Sequence, residues 1–341
     1  MSIESDWSER LNRLASECDR RAVGHQLIGR MNFDQFIAVE EITSWLEFQN
    51  VFTARFAHEG WAFRGHGIAD WRLETALERA CLGNVGLGNV DVGLGSVDLP
   101  DSPAVVPMSI LPQAFEREVL LRFQRRAHHY IPNPPDDEDV LDWLALMQYH
   151  GVPTRLLDWT LSPYVALYFA FETSLPDTDC AVWAINTGWL SERARQKSLS
   201  DPKFPTGPHE KALNEYLNRC LLDAENPNVV VVANPVRVNE RVAAQQGVFL
   251  CDLSHVGAFT ITLQKMLVMP APPPSPVIWK FVIKTAERDK FVRELNRMNI
   301  NGASLFSGLD GFARSLKLEL QVEINKRLQL LSLKRPIVSN G

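Results

Sequence analysis

The residues best suited by type and spacing to do chemistry lie in two runs. The first is Trp61-Ala62-Phe63-Arg64-Gly65-His66-Gly67, with Trp71 following; the second is Arg155-Leu156-Leu157-Asp158-Trp159-Thr160, continuing to Phe169-Ala170. In the first run one cation sits on an apolar segment that opens at once into glycines. Such a segment delivers a guanidinium to an anion, and the fork of guanidinium donors matches the geometry of a phosphate. Gly65 and Gly67 carry no side chain to block a ligand from the backbone. In the second run Ser162-Pro163 has the form of a helix start, a capping hydroxyl followed by proline at the first position. The amide hydrogens of that helix end would point toward the neighbourhood of Asp158 and Thr160, a favourable place for a phosphate. The plainer alternative is a core helix with an ordinary cap, beside a structural ion pair between Arg155 and Asp158.

Other chemistries find less support. His66 gains from its place beside Arg64, whereas a lone histidine, like the pair His128-His129, is more often a surface or satisfied core residue. No motif assembles a Ser/His/Asp set. The five cysteines, Cys18, Cys81, Cys180, Cys220 and Cys251, are scattered without Cys-x-x-Cys or zinc spacing, so reduced thiols and no metal are expected. Between Cys81 and Met108, Val85-Gly86-Leu87-Gly88 is nearly repeated as Val92-Gly93-Leu94-Gly95, followed by Pro100, Pro103 and Pro107. This stretch lacks the lysine and the flanking elements of a phosphate-binding loop, and it reads as a mobile insertion.

Periodicity supplies the elements that must hold the two runs in place. Trp7, Leu11, Leu14 and Ala15 recur at helical spacing between Ser5 and about Arg21, which predicts an amphipathic N-terminal helix. Phe36 to Val39 reads as a short strand, and Thr43 as the cap of a helix carrying Trp45, Leu46 and Phe48. Phe63 and Arg64 then lie on a strand. Helices are expected at about Pro112 to His129, with Glu116 and Glu118 on a solvated face, and at Asp139 to Tyr149. Tyr164 to Phe171 is apolar enough to be a helix buried on most sides. Strands follow at Ala181 to Ile185, Val229 to Val232, Val248 to Leu250 and Val277 to Lys284, with helices at Glu210 to Leu222, Ala286 to Met298 and Leu309 to Leu331. Interspersed strands and helices define a mixed α/β protein of the α+β class.

With 341 residues, 45% of them hydrophobic and nine tryptophans, the chain can fill one large core. Its 35 basic and 41 acidic residues give a net charge of −6 without a long run of either sign, which removes a general nucleic-acid coat and leaves room for a local basic groove. The charged N-terminus and the lack of an apolar run of about 20 residues predict a cytoplasmic protein with no membrane partner.

Several separated motifs, in order, resemble the FRG domain, named for its Phe-Arg-Gly motif. They are Phe63-Arg64-Gly65 with Trp71-Arg72-Leu73, the Thr154 to Thr160 run with Ser162-Pro163 and Ala166-Leu167-Tyr168-Phe169-Ala170, then Gln245-Gln246-Gly247-Val248-Phe249, and finally Leu305-Phe306 with Leu309-Asp310-Gly311. The resemblance implies an N-terminal helical extension at 1–33, an FRG domain at 34–320 with the insertion at about 81–108, and a C-terminal helix end and tail at 321–341.

The same order is also similar to that of the ADP-ribosyltransferases. Those enzymes present a strand with Arg or His, then a Ser/Thr-bearing strand leading into a helix with Phe-Ala, then a late strand with Glu or Gln. Arg64, Thr160 with Ser162, and Glu240 with Gln246 occupy those places here, with Glu240 nine residues before Phe249. The sequence departs from the pattern in having Thr160-Leu161-Ser162 for Ser-Thr-Ser and Asn239 beside Glu240. This second resemblance implies an ADP-ribosyltransferase-like split-sheet core with surrounding helices and NAD as substrate. ADP-ribose would pass to an unknown macromolecular acceptor, protein or nucleic acid, or to water, in the setting of a toxin or anti-phage defence system. It implies an NAD site of Arg64, Gly65, His66, Thr160, Ser162 and Tyr168, with Trp159 as another candidate to cover a ring. Glu240, Gln246 or Asp158 is the catalytic candidate, and Asp158 serves equally well to hold Arg64 or Arg155. A non-catalytic nucleotide- or nucleic-acid-binding module is the alternative.

Overall fold

The computed structural model describes residues 33–333, apart from 59, 85–95, 98–105, 108–110, 176–177, 199–203, 206–209, 223–226, 237–239, 255–257 and 269–272. The expected N-terminal helix, Cys18, most of the glycine-rich insertion and the end of the tail lie outside the described residues.

Nine strands are described: β1 (Ala38–Ile42), β2 (Trp61–His66), β3 (Ser96–Val97), β4 (Val106–Pro107), β5 (Leu156–Thr160), β6 (Cys180–Asn186), β7 (Val230–Ala233), β8 (Gly247–Asp252) and β9 (Ile278–Ile283). β3 and β4 form a small ribbon of their own, and the other seven make one sheet in the order β1-β9-β6-β2-β5-β8-β7. Only β1 and β9 run parallel; every other neighbouring pair in that sheet is antiparallel. The described helices are α1 (Trp45–Arg55), α2 (Ala76–Asn84), α3 (Leu111–Ala127), α4 (Val140–Tyr149), α5 (Pro163–Glu172), α6 (Thr187–Ser198), α7 (Glu210–Leu222), α8 (Glu240–Ala244), α9 (Phe259–Val268), α10 (Arg288–Arg297), α11 (Gly302–Leu305) and α12 (Gly308–Leu333). The protein is therefore mixed, with helices around a largely antiparallel sheet.

The sheet has a weak seam. β2 pairs with β6 over six residues, yet with β5 it shares the single pair Phe63↔Thr160. The seam divides the sheet into β1-β9-β6-β2 and β5-β8-β7, so the β5 main-chain groups that precede Thr160 and face β2 must find partners elsewhere.

Alternation along β2 assigns its side chains to two faces. Phe63 faces an aromatic cluster in which Phe52 of α1 lies 5.6 Å from Phe63 and 4.8 Å from Phe281, while Phe171 of α5 lies 5.7 Å from Phe291 of α10. Gly65 shares that face. A Cβ built there would stand 1.9 Å from the carbonyl oxygen of Ala166 and 2.5 Å from the amide nitrogen of Ala170, and one on Gly67 would stand 2.2 Å from the Thr173 oxygen. The missing side chains thus let the backbone of α5 rest directly on β2. This corrects the expectation for Gly65 and Gly67: the space they leave is filled by a helix, and no ligand can approach there.

Two further expectations change on the fold. The cap of α1 is Ser44, whose hydroxyl accepts from the amide of Glu47; Thr43 donates its amide and its hydroxyl to the Glu47 carboxylate at 2.7 and 2.8 Å. Those bonds hold the Glu47 pKa below its ordinary value. Glu116 leaves the solvated face assigned to it and is buried at 4% exposure. Its carboxylate accepts from the Arg155 amide at 2.9 Å and from Arg155 Nε at 2.5 Å, tying α3 to the start of β5. Arg155 accordingly pairs with Glu116 and not with Asp158.

No helix among the described residues is long and apolar enough to cross a membrane.

Candidate functional site

Arg64 lies on the face of β2 opposite Gly65, at the seam. Its NH1 donates to the main-chain carbonyl of Asp158 at 2.5 Å, and its Nε donates to His66 Nε2 at 3.1 Å. The guanidinium thereby takes up a β5 carbonyl in the stretch where β2 has ceased to pair. Burial pulls its pKa down to about 10; the Asp158 carboxylate works against that shift, and the charge of Arg79 adds to it.

The hydrogen bonds of His66 favour one tautomer. An arginine can only donate, so Nε2 must present its lone pair to Arg64, and Nδ1 then carries the proton and donates to the Trp71 carbonyl at 3.2 Å. With the proton on Nδ1 the Trp183 indole N–H, also 3.2 Å from Nδ1, goes unmet; the opposite tautomer would meet it but lose both the Arg64 and the Trp71 bonds. Burial, with Arg64 next, lowers the His66 pKa to about 3, so the imidazole is neutral and serves to orient Arg64. His66 is one of the expected site residues, and its buried ring acts on Arg64.

Beside Arg64 opens a small cavity of about 180 Å³, lined by Arg79 and Ala76 of α2, Gln148 and Gly151 at the end of α4, and Leu157 and Asp158 of β5 among others. Arg79 donates to the Glu74 carbonyl at 2.6 Å. Asp158 is exposed at the rim. Its carboxylate is felt not only by Arg64 but also by Arg241 of α8, whose pKa is lowered chiefly by burial. Arg241 lies 4.7 Å over the Phe306 ring and 5.6 Å over the Tyr149 ring, positions that replace part of its lost hydration. The result is a cationic cleft with one carboxylate, suited to an anion that also offers hydroxyl groups.

The remaining expected residues fall in different places. Thr160 Oγ1 donates to the Gln245 carbonyl at 2.6 Å, and Ser162 Oγ accepts from the Val165 amide as the cap of α5, so both hydroxyls are committed to main chain. Tyr168, at 1% exposure, and Trp159, at 3%, are inside the core, where neither ring can cover a ligand. Glu240 is exposed on the first residue of α8, a helix and not the strand expected of it. Gln246 is exposed at the turn into β8 with φ 48°, its carbonyl accepting from the Leu161 amide at 2.9 Å. Of the three catalytic candidates, Asp158 alone is among the residues lining the cavity beside Arg64.

Sequence reasoning missed Arg79, Gln148 and Arg241. Arg79 and Arg241 sit on short polar helices where a charge reads as solvated, and only their convergence on Asp158 distinguishes them. Gln148 precedes the second run, in the helix expected at Asp139 to Tyr149, and had no role assigned to it.

Fold and site together define a mixed α+β protein with an arginine-lined cleft at a sheet seam. Residues 59–179 match the family model of the FRG domain. That span holds Arg64, Arg79, Gln148 and Asp158 and leaves Arg241 outside. No curated protein and no solved structure matches the chain. Among the described residues no His, Cys, Asp and Glu side chains gather in a group able to hold a metal ion.

Proposed function

We propose that the seam cleft binds the diphosphate of NAD and that the protein cleaves the nicotinamide bond, passing ADP-ribose to a macromolecular acceptor or to water. The observation that carries this reading is the meeting of Arg64, Arg79 and Asp158 around one cavity of about 180 Å³. That volume is below the roughly 300–1,000 Å³ that encloses a drug-sized ligand. It suits the phosphates, while the nucleoside ends extend along the open seam.

In the reaction the bond from ribose C1′ to the nicotinamide nitrogen breaks, and its electron pair leaves with neutral nicotinamide. An acceptor oxygen forms the new bond to C1′ and releases a proton. The sugar passes through a cation-like state that a nearby carboxylate stabilises, as in glycoside chemistry. Asp158 takes that role in preference to Glu240, since it shares the cavity with Arg64. Arg64 and Arg79 hold the phosphates, and neutral His66 keeps Arg64 aimed without adding a competing charge.

The test is nicotinamide release from NAD by the wild type and by Asp158→Asn. Turnover that falls at least about 100-fold with NAD binding retained supports the reading; absence of both turnover and saturable NAD binding in the wild type removes it. The position of Glu240, exposed on α8, favours a second reading, a nucleotide-binding module without turnover, for which the wild type binds NAD and releases no nicotinamide.

A further inference from the structure

A cavity of about 830 Å³ with an apolar floor lies beside α3. Its floor is built from Val119, Phe123, Ile131 and Leu146, and its rim from Arg122, Arg125, Arg126, Tyr130 and His150; no carboxylate is among its lining residues. Arg122 has a partner in Glu118, an exposed i,i+4 pair of the kind that exchanges readily with other ions. Tyr130 is 83% exposed, although its neighbour Ile131 packs on the core. Among the described residues this aromatic makes no ring stacking or cation–π contact, so its apolar surface stays in solvent.

Apolar floor, exposed aromatic and cationic rim together fit a ligand with planar rings and repeated negative charge. The three arginines occupy the last two turns of α3, which are about 5 Å apart along the axis. Cations on successive turns match successive phosphates of a chain better than one phosphate of a free nucleotide. A duplex keeps its base faces stacked inside, whereas an unpaired base can lie on Phe123 and Tyr130. With a net charge of −6 over the whole chain, attraction for a polyanion has to be local, and this groove supplies it.

We propose that the α3 groove binds single-stranded nucleic acid, with Arg122, Arg125 and Arg126 on the phosphates and Tyr130 stacked on a base. Both cavities draw on the end of α4: Leu146 and His150 line the groove, while Gln148 and Gly151 line the Arg64 cavity. Through that shared helix end, a strand held in the groove is proposed as the acceptor of ADP-ribose. That last role rests on the NAD reading; the binding does not.

The experiment measures fluorescence anisotropy of labelled 12-mers of thymidylate and of uridylate with the full chain, between 50 and 200 mM salt. Saturable binding is expected, with log K falling against log salt at a slope of about −2 for three phosphate contacts on a single strand. The double substitution Arg125→Gln/Arg126→Gln should weaken binding at least about 10-fold and reduce that slope by roughly 1.4. Tyr130→Ala should cost about 5- to 150-fold with the slope unchanged. These are exposed positions, so unchanged thermal unfolding separates lost contacts from lost folding. Absence of binding at 50 mM salt overturns the proposal, as does undiminished binding by the variants, equal affinity for a 12-base-pair duplex, or preference for anionic vesicles with no oligonucleotide binding. Oligonucleotide binding by Arg64→Lys protein that has lost NAD binding supports the groove separately. Oligonucleotide binding by a wild type that neither binds nor cleaves NAD also leaves the groove standing while the seam reading fails.

Discussion

The guanidinium of Arg64 replaces a strand: its NH1 donates to the Asp158 carbonyl at 2.5 Å, across the seam where β2 and β5 no longer pair. One side chain therefore closes the sheet and lines the cleft. The substitution Arg64→Lys keeps the charge but cannot reach both Asp158 and His66 with a fixed fork. It should destabilise the fold by about 1.5–3 kcal/mol, the worth of a charged hydrogen bond, as measured by urea unfolding. An unchanged midpoint would mean that the seam does not depend on this contact.

Gly65 gives a prediction that separates packing from ligand approach. Gly65→Ala places a methyl group against the backbone of Ala166 and Ala170, which cannot swing away as a side chain can. Overpacking of this kind costs about 3 kcal/mol or more. Thermal unfolding should drop accordingly. If Gly65→Ala unfolds like the wild type and instead loses only anion binding, the glycine serves the ligand after all.

The Glu116–Arg155 pair makes a third test. Both side chains are buried, and the pair holds α3 against β5. Glu116→Ala leaves an unpaired buried guanidinium and should cost about 3–5 kcal/mol. The double replacement Glu116→Leu/Arg155→Met should recover most of that loss, because the remaining desolvation disappears with the charges. Equal losses in the single and double variants would deny the coupling.

These relationships mark what could be read from the chain alone. Strands such as Cys180–Asn186 and Gly247–Asp252 were legible because they are apolar almost throughout, and the Ser162-Pro163 helix start was legible because capping is local. Glu116 and Arg155 stand 39 positions apart, and nothing local joins them. Arg155 and Asp158, three apart on extended chain, point to opposite faces, so their closeness in sequence misled. Gly65 was ambiguous for a similar reason: a missing side chain admits a ligand or a helix equally, and only the placement of α5 decides. The seam itself has no sequence signal, since it is a pairing that stops.

His66 and Asp252 predict the pH dependence of stability, with opposite signs. Burial and the Arg64 charge depress the folded pKa of His66 to about 3 from 6.5, so its contribution is fully present above pH 6.5 and is lost as pH falls toward 3. Asp252 is buried beneath Ser254 and Thr262, which donate to its carboxylate at 2.8 and 2.9 Å, and burial still raises its folded pKa to about 8 from 3.8. Its contribution is present below pH 3.8 and is lost as pH rises through 8. Between pH 4 and 6.5 the two oppose each other, and from pH 6.5 to 8 the Asp252 loss stands alone. Asp252→Asn should therefore flatten the decline in urea-unfolding free energy between pH 6.5 and 8, and His66→Phe should flatten the fall below pH 4. A decline from pH 6.5 to 8 that persists in Asp252→Asn would assign the alkaline loss to some other group and leave Asp252 ionised in the folded protein.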